Sequence, residues 1–102
     1  MRKKRSDRNH AIYCIENTIT GESYIGITGC SRAIVRSVKV RVQKHMSRAR
    51  TEVRDWNLYE NIRRYGEENF VYWVMETVRG KAEAHRVERE YIREYNPVLN
   101  TF

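Results

Sequence analysis

Five side chains in this sequence have the types and spacing to work on a phosphate: Tyr13, Tyr24, Arg41, His45 and Glu88. Tyr13 and Tyr24 stand in two short β-prone runs, "AIYCI" and "SYIGIT", and Gly26 lies two residues after the second tyrosine. Side chains alternate along a strand, so an even-numbered connection would put both phenols on one face of a hairpin. Arg41 and His45 are four residues apart in a stretch whose Ile34, Val35, Val38, Val42 and Met46 form a helical stripe. His45 falls inside that stripe and Arg41 at its edge. This fits a core histidine beside a snorkelling arginine. It equally fits a cationic pair aimed into a cleft, where a guanidinium can clamp a phosphate. Glu88 sits among Ala84, Val87, Tyr91, Ile92 and Tyr95 on another helical stripe. A carboxylate there is costly unless an arginine pairs with it or it holds a cation. One carboxylate completed by water and substrate phosphates is a usual way to hold Mg²⁺.

The elements that must position these groups follow from the pattern. The apolar run 11–15 predicts a strand buried on both faces, and Asn17, Thr20 and Gly21 supply a turn before a second strand. Gly29 delays the first helix, which runs to about Arg50. A second helix is expected over 55–65, with Asp55 as N-cap, Leu58 and Ile62 in the core and Gly66 as its stop. The β-branched and aromatic stretch 69–78 predicts a third strand, Gly80 breaks it, and 81–95 reads as a helix ended by Pro97. The order β-β-α-α-β-α gives an α+β fold, a small three-stranded antiparallel sheet flanked by helices. Trp56 and Trp73 are expected in the core, and His10 and His85 at the surface.

Composition narrows the partner. Across 102 residues, Lys and Arg outnumber Asp and Glu by 20 to 13, a net charge of +7. The cations gather in segments 2–8 and 32–54. A patch of this kind points to a polyanion, nucleic acid first, although basicity can also serve solubility alone. Residues 1–9 read as a flexible basic arm and 10–102 as one domain. No apolar run approaches a membrane span and no signal peptide is visible, so a cytoplasmic protein with no membrane partner is expected. Cys14 and Cys30 lack metal-site or C-x-x-C spacing and read as reduced thiols. There is no P-loop, H-E-x-x-H or G-x-G-x-x-G motif.

Taken together, "AIY", "YIG" eleven residues on, "RVQKH" and "EREYIREYNPVLN" resemble the GIY-YIG nuclease domain, in order and over residues 10–101. The resemblance implies a metal-dependent DNA endonuclease that hydrolyses phosphodiester bonds, similar to compact phage or homing-type members, in a bacterial or phage-infected cell. It implies Tyr13, Tyr24, Arg41, His45 and Glu88 as catalytic residues, with Glu88 holding Mg²⁺ or Mn²⁺. Gly26, Lys44 and Asn100 are put on the substrate side. Glu90 is the other candidate for the metal. The family's apolar residue four places on, followed by Pro97 and Asn100, matches Glu88 through Ile92, whereas Glu90 would place Glu94 there. Tyr13 is expected to orient or deprotonate the attacking water with Tyr24 or His45 in support, and which phenol is the base stays open. Ala11 replaces the glycine of the first tripeptide, and the stretch between Gly26 and Arg41 is longer than in compact members. Specificity is expected from the domain, that insertion, the arm, self-association as a homodimer, or a separate partner. A non-catalytic nucleic-acid-binding module, or a repair or restriction nuclease of the same fold, are the alternative readings.

Overall fold

The computed structural model describes residues 8–31, 33–51 and 56–101. Its elements are β1 (Asn9–Asn17), β2 (Ser23–Gly29), α1 (Ile34–Thr51), α2 (Asn57–Tyr65), β3 (Phe70–Arg79) and α3 (Lys81–Tyr95), with a 3₁₀ turn over Glu67–Asn69. The expected β-β-α-α-β-α order and antiparallel three-stranded sheet are both present, with strand order β2-β1-β3.

The unbroken apolar run of β1 reflects its central place. Ala11, Tyr13 and Ile15 face one core with α1 and α2, while Ile12 and Cys14 face a second core with α3. The last β1–β2 pair is Glu16↔Ser23, which leaves the even-numbered connection 17–22. Tyr13 pairs with Gly26 and Ile15 with Tyr24, so the two phenols share the α1 face. The turn is organised by Asn17, itself fully buried. Its Oδ1 accepts from Ile19 N at 2.8 Å and Thr20 N at 3.2 Å, and its Nδ2 donates to Asn61 Oδ1 at 2.8 Å. Gly21, at φ 77°, supplies the left-handed residue the turn requires.

Against β3 the register slips once: Ile12 pairs with Glu76 but Tyr13 with Val74. The extra residue, Met75, is a bulge beside the strand position that carries Tyr13.

Several expectations change where an element end runs past its cover. Val35 shares the angular position of Val42, yet it is 72% exposed, and it is its neighbour Ile34 that packs against the core at this end of α1. Tyr95, in the last turn of α3, is exposed and stacks on Tyr91 with centroids 6.1 Å apart. Trp73 is also exposed. It lies on edge strand β3 opposite Cys14, away from the Val78 end that packs with Val87 of α3. His10 is buried rather than superficial, and its Nδ1 meets the Arg8 carbonyl at 2.8 Å. Cys14 and Cys30 are free and buried. Asp55 and residues 1–7 of the basic arm lie outside the described residues, and Asn9 belongs to β1. Trp56 precedes α2 without a side-chain cap. No helix among the described residues is long and apolar enough to cross a membrane.

Candidate active site

Four of the five residues singled out meet in one cluster on the α1 face of the sheet. β1 delivers Tyr13, β2 delivers Tyr24, and α1 delivers Arg41 and His45. The buried stripe of α1 is Val38, Val42, His45 and Ala49, which turns His45 toward the sheet. Its Nε2 lies 2.8 Å from the Tyr13 hydroxyl, and its Nδ1 lies 3.3 Å from the hydroxyl of Tyr59 on α2. The imidazole ring packs edge-on to Tyr24 at 5.3 Å between centroids.

Burial governs the titration of this cluster. His45 is pushed down to about 4, first by desolvation and then by the charges of Arg41 and Arg48. It is therefore neutral near pH 7, with one ring nitrogen donating and the other accepting. Tyr13 is raised far above an ordinary phenol, by burial and then by Tyr24, against the opposing pull of Arg41. Tyr24 is raised as well: burial lifts it, Arg41 and the Tyr13 hydroxyl hold it down, and Glu88 pushes it up. If Tyr13 donates to Tyr24, its oxygen must accept from His45 Nε2, so His45 Nδ1 accepts from Tyr59. In that arrangement the donors run from Tyr59 through His45 and Tyr13 toward Tyr24, whose ring centroid lies 6.2 Å from that of Tyr13.

Exposure separates the two tyrosines. Tyr13 is completely buried, whereas Tyr24 lines an open cleft with Arg41 and His45. That changes the expectation for Tyr13: with no open path to solvent, its hydroxyl supports rather than faces a bound water. Gly26 also takes a different part from the substrate contact expected. A Cβ there would lie 2.6 Å from Tyr13 Cζ and hydroxyl and 2.8 Å from Tyr24 Cε1. The glycine leaves room for the Tyr13 ring across the strand pair.

Asn100 has both ends of its amide committed. Its Oδ1 accepts from Ile25 N at 2.9 Å and its Nδ2 donates to Ile25 O at 2.8 Å, closing the outer edge of β2 between Tyr24 and Gly26. It holds the strand that carries the site.

Glu88, on α3, is close enough to Tyr24 to raise its pKa. The carboxylate is itself raised by burial, partly offset by His85, whose Nδ1 lies 3.6 Å from Oε1. Its side chain is 17% exposed. Glu90 points to solvent and pairs with Arg86, which also holds Glu83. No group of three or more His, Cys, Asp or Glu among the described residues could cage a metal. Glu88 therefore fits a cation completed by water and phosphate oxygens, and does not fit an all-protein cage.

Arg41 stands between two clefts. On one side, a cleft of about 340 Å³ gathers Arg8, Arg36 and Lys44 with the hydroxyls of Ser31 and Ser37. On the other, a cleft of about 320 Å³ runs from Tyr24 and His45 to Trp56, Tyr59 and Leu99. Trp56 is thus not in the core but 42% exposed at the mouth of the site.

No protein-family model matches the sequence, and no curated protein matches it. Two solved structures do share its fold. A single-residue mutant of the catalytic domain of the intron endonuclease I-TevI superposes at TM-score 0.72 with 18% identity, covering 92% of this chain and 91% of that one. The catalytic domain of the homing endonuclease I-TevI superposes at TM-score 0.71 with 19% identity, covering 91% and 95%. The chain has the GIY-YIG nuclease fold.

Within this GIY-YIG fold, the sequence reading missed three neighbours of the cluster. Tyr59 shares an apolar helix face with Leu58 and Ile62, and that spacing was the available signal. His85 lies one helical turn before Glu88, the i, i+3 spacing at which side chains meet. Arg36 joins Lys44 only because α1 and the residues after β2 form one cleft, which spacing alone does not convey.

Proposed function

We propose that this chain is a metal-dependent endonuclease that hydrolyses DNA phosphodiester bonds. The observation that carries the reading is the cluster in which His45 bonds Tyr13 and Tyr59 and packs with Tyr24, beside Arg41 and within the field of Glu88. That two structures of the same fold are described as endonuclease catalytic domains supports it.

The scissile phosphate sits at Arg41, whose guanidinium offsets charge that develops on the phosphoryl oxygens. The strand's backbone continues over Arg36 and Lys44, where phosphates meet fixed cations. Tyr24, the phenol open to the cleft, gives its proton to solvent before the chemical step, and the phenolate so formed orients the attacking water and takes its proton. Tyr13 donates to the Tyr24 oxygen while it is a phenolate, which eases loss of the Tyr24 proton, and neutral His45 keeps Tyr13 turned that way. Glu88 would hold the Mg²⁺ or Mn²⁺. When bound, that ion would polarise the phosphate, steady the leaving oxygen and reverse the unfavourable field that Glu88 imposes on Tyr24. Asn100 acts through β2 by fixing the strand that bears Tyr24.

The test is nicking of supercoiled plasmid by the wild-type chain with Mg²⁺, with excess chelator, and by Arg41→Ala. Cleavage that requires the metal and falls at least about a hundredfold in the variant is expected. Metal-independent cleavage overturns the mechanism, and DNA binding without any cleavage makes the chain a binding module.

A further inference from the structure

The cleft on the Trp56 side of Arg41 has a chemistry that phosphate binding does not explain. Its walls are Trp56, Tyr59, Leu58 and Leu99, mostly apolar, and it opens directly onto Tyr24, Arg41 and His45. Tyr59 is 1% exposed and serves as a floor. Trp56 lies against it at 5.4 Å between centroids with 30° between planes, so the indole is backed on one side while 42% of the residue remains open. At about 320 Å³ the cleft is at the small end of ligand pockets, which span about 300–1,000 Å³.

Building on the nuclease reading, we propose that this cleft receives one nucleobase of the cleaved strand, unstacked from its neighbours and laid against Trp56. Arg41 belongs to both clefts, so a phosphate held there has its backbone directed over the basic residues on one side. The base attached next to that phosphate then has the aromatic cleft on the other side. A base stacked inside an intact duplex cannot present its face to a side chain in a concave wall, so occupancy requires extrusion or an unpaired strand. The substrate class is DNA with an unpaired or easily extruded base beside the cut. The Asn100 amide takes no part in reading the base, because both its polar ends are spent on Ile25.

The experiment measures binding by fluorescence anisotropy in metal-free buffer, so that no strand is cut. One labelled oligonucleotide is presented alone, in a perfect duplex, and in a duplex with a central mismatch. Trp56→Ala is expected to lose about tenfold in affinity for the single strand and the mismatched duplex, the size of one base–aromatic stack, and little for the perfect duplex. Trp56→Phe, which keeps a ring, retains most of the affinity and guards against a folding defect in the alanine variant. A loss of equal size on all three substrates, or on none, overturns the proposal. If the wild type nicks plasmid and the split is absent, the base cleft alone fails. If the split appears and nothing is nicked, the base cleft stands and the nuclease reading fails.

Discussion

Gly26→Ala tests the packing that joins the two strands at the site. The added methyl would sit 2.6 Å from Tyr13 Cζ and hydroxyl and 2.8 Å from Tyr24 Cε1, well inside contact distance. Tyr24 borders a cleft and has room to swing outward. Tyr13 does not: it is wholly buried in the α1-side core, and its hydroxyl is bonded to His45. Overpacking a rigid core costs about 1–3 kcal/mol. Losing the Tyr13–His45 hydrogen bond adds about 1 kcal/mol. The expected total is about 2–4 kcal/mol. With a urea slope of about 2 kcal/mol/M, the unfolding midpoint falls by roughly 1–2 M.

Displacement of Tyr13 also turns its donor away from Tyr24, so plasmid nicking at a temperature where the variant is folded should drop by about 10² or more. A double-mutant cycle isolates the contact. Tyr13→Leu ends short of the position of Cζ, so Gly26→Ala in that background should cost at least about 1 kcal/mol less than it does alone. Additive effects in the cycle, or a Gly26→Ala variant within about 0.5 kcal/mol of wild type and fully active, would refute the close-approach argument.

Arg41→Ala should slow the chemical step by about 10² or more, read by single-turnover nicking, while DNA affinity falls far less because Arg36 and Lys44 remain. Glu88→Gln should abolish both nicking and Mn²⁺ binding measured by calorimetry, whereas Glu90→Gln, exposed and paired with Arg86, should change stability by no more than about 0.5 kcal/mol. His45 is folded with its pKa lowered from 6.5 to about 4, so the unfolded chain takes up its proton first as pH falls. Stability from this group is therefore intact above about pH 6.5 and is lost by up to about 3 kcal/mol on the way to pH 4. Urea melts across that range should show the decline and His45→Gln should blunt it. Tyr59→Phe leaves His45 Nδ1 without its hydroxyl partner and should cost about 1–3 kcal/mol while also slowing nicking, checked by melts and rates on the same preparation.

What could be read before any coordinates depended on whether a local rule determined the answer. The shared face of Tyr13 and Tyr24 needed only strand alternation and an even connection, and both are local. Glu88 was separable from Glu90 because two positions two apart on a helix point about 200° apart and only one had apolar company. Burial of the aromatics was not local. Trp56 and Trp73 have core chemistry, but one precedes a helix at a cleft mouth and the other lies on an edge strand beyond its covering helix. Val35 and Tyr95 are likewise exposed although the helical wheel put them on the apolar stripes, since a wheel gives an angle and not the partner that meets it. Gly26 was legible as part of the site, but not its neighbour: the ring of Tyr13 across the strand pair fills the space a side chain there would need.

Binding and catalytic residues are often carried on loops over a rigid scaffold, where they can vary without disturbing the core. This site is built the other way. Tyr13, His45 and Tyr59 are each at most 3% exposed and belong to the packing between the sheet, α1 and α2. Their hydroxyls and ring nitrogens satisfy one another, and no buried side-chain polar atom among the described residues is left without a partner. The hydrogen bonds that direct charge toward Tyr24 are thus the same bonds that make burial of these polar groups affordable. Tyr24 and Arg41 bring the network out to a cleft, with His45 and Tyr59 in its walls. Such a site has little freedom to reorganise as charge develops, which is the condition for electrostatic stabilisation to be large. The same arrangement ties activity to core integrity, so substitutions at Tyr13, His45, Tyr59 or Gly26 cannot weaken one without weakening the other, whereas Arg41 and Glu88 can be changed for chemistry alone.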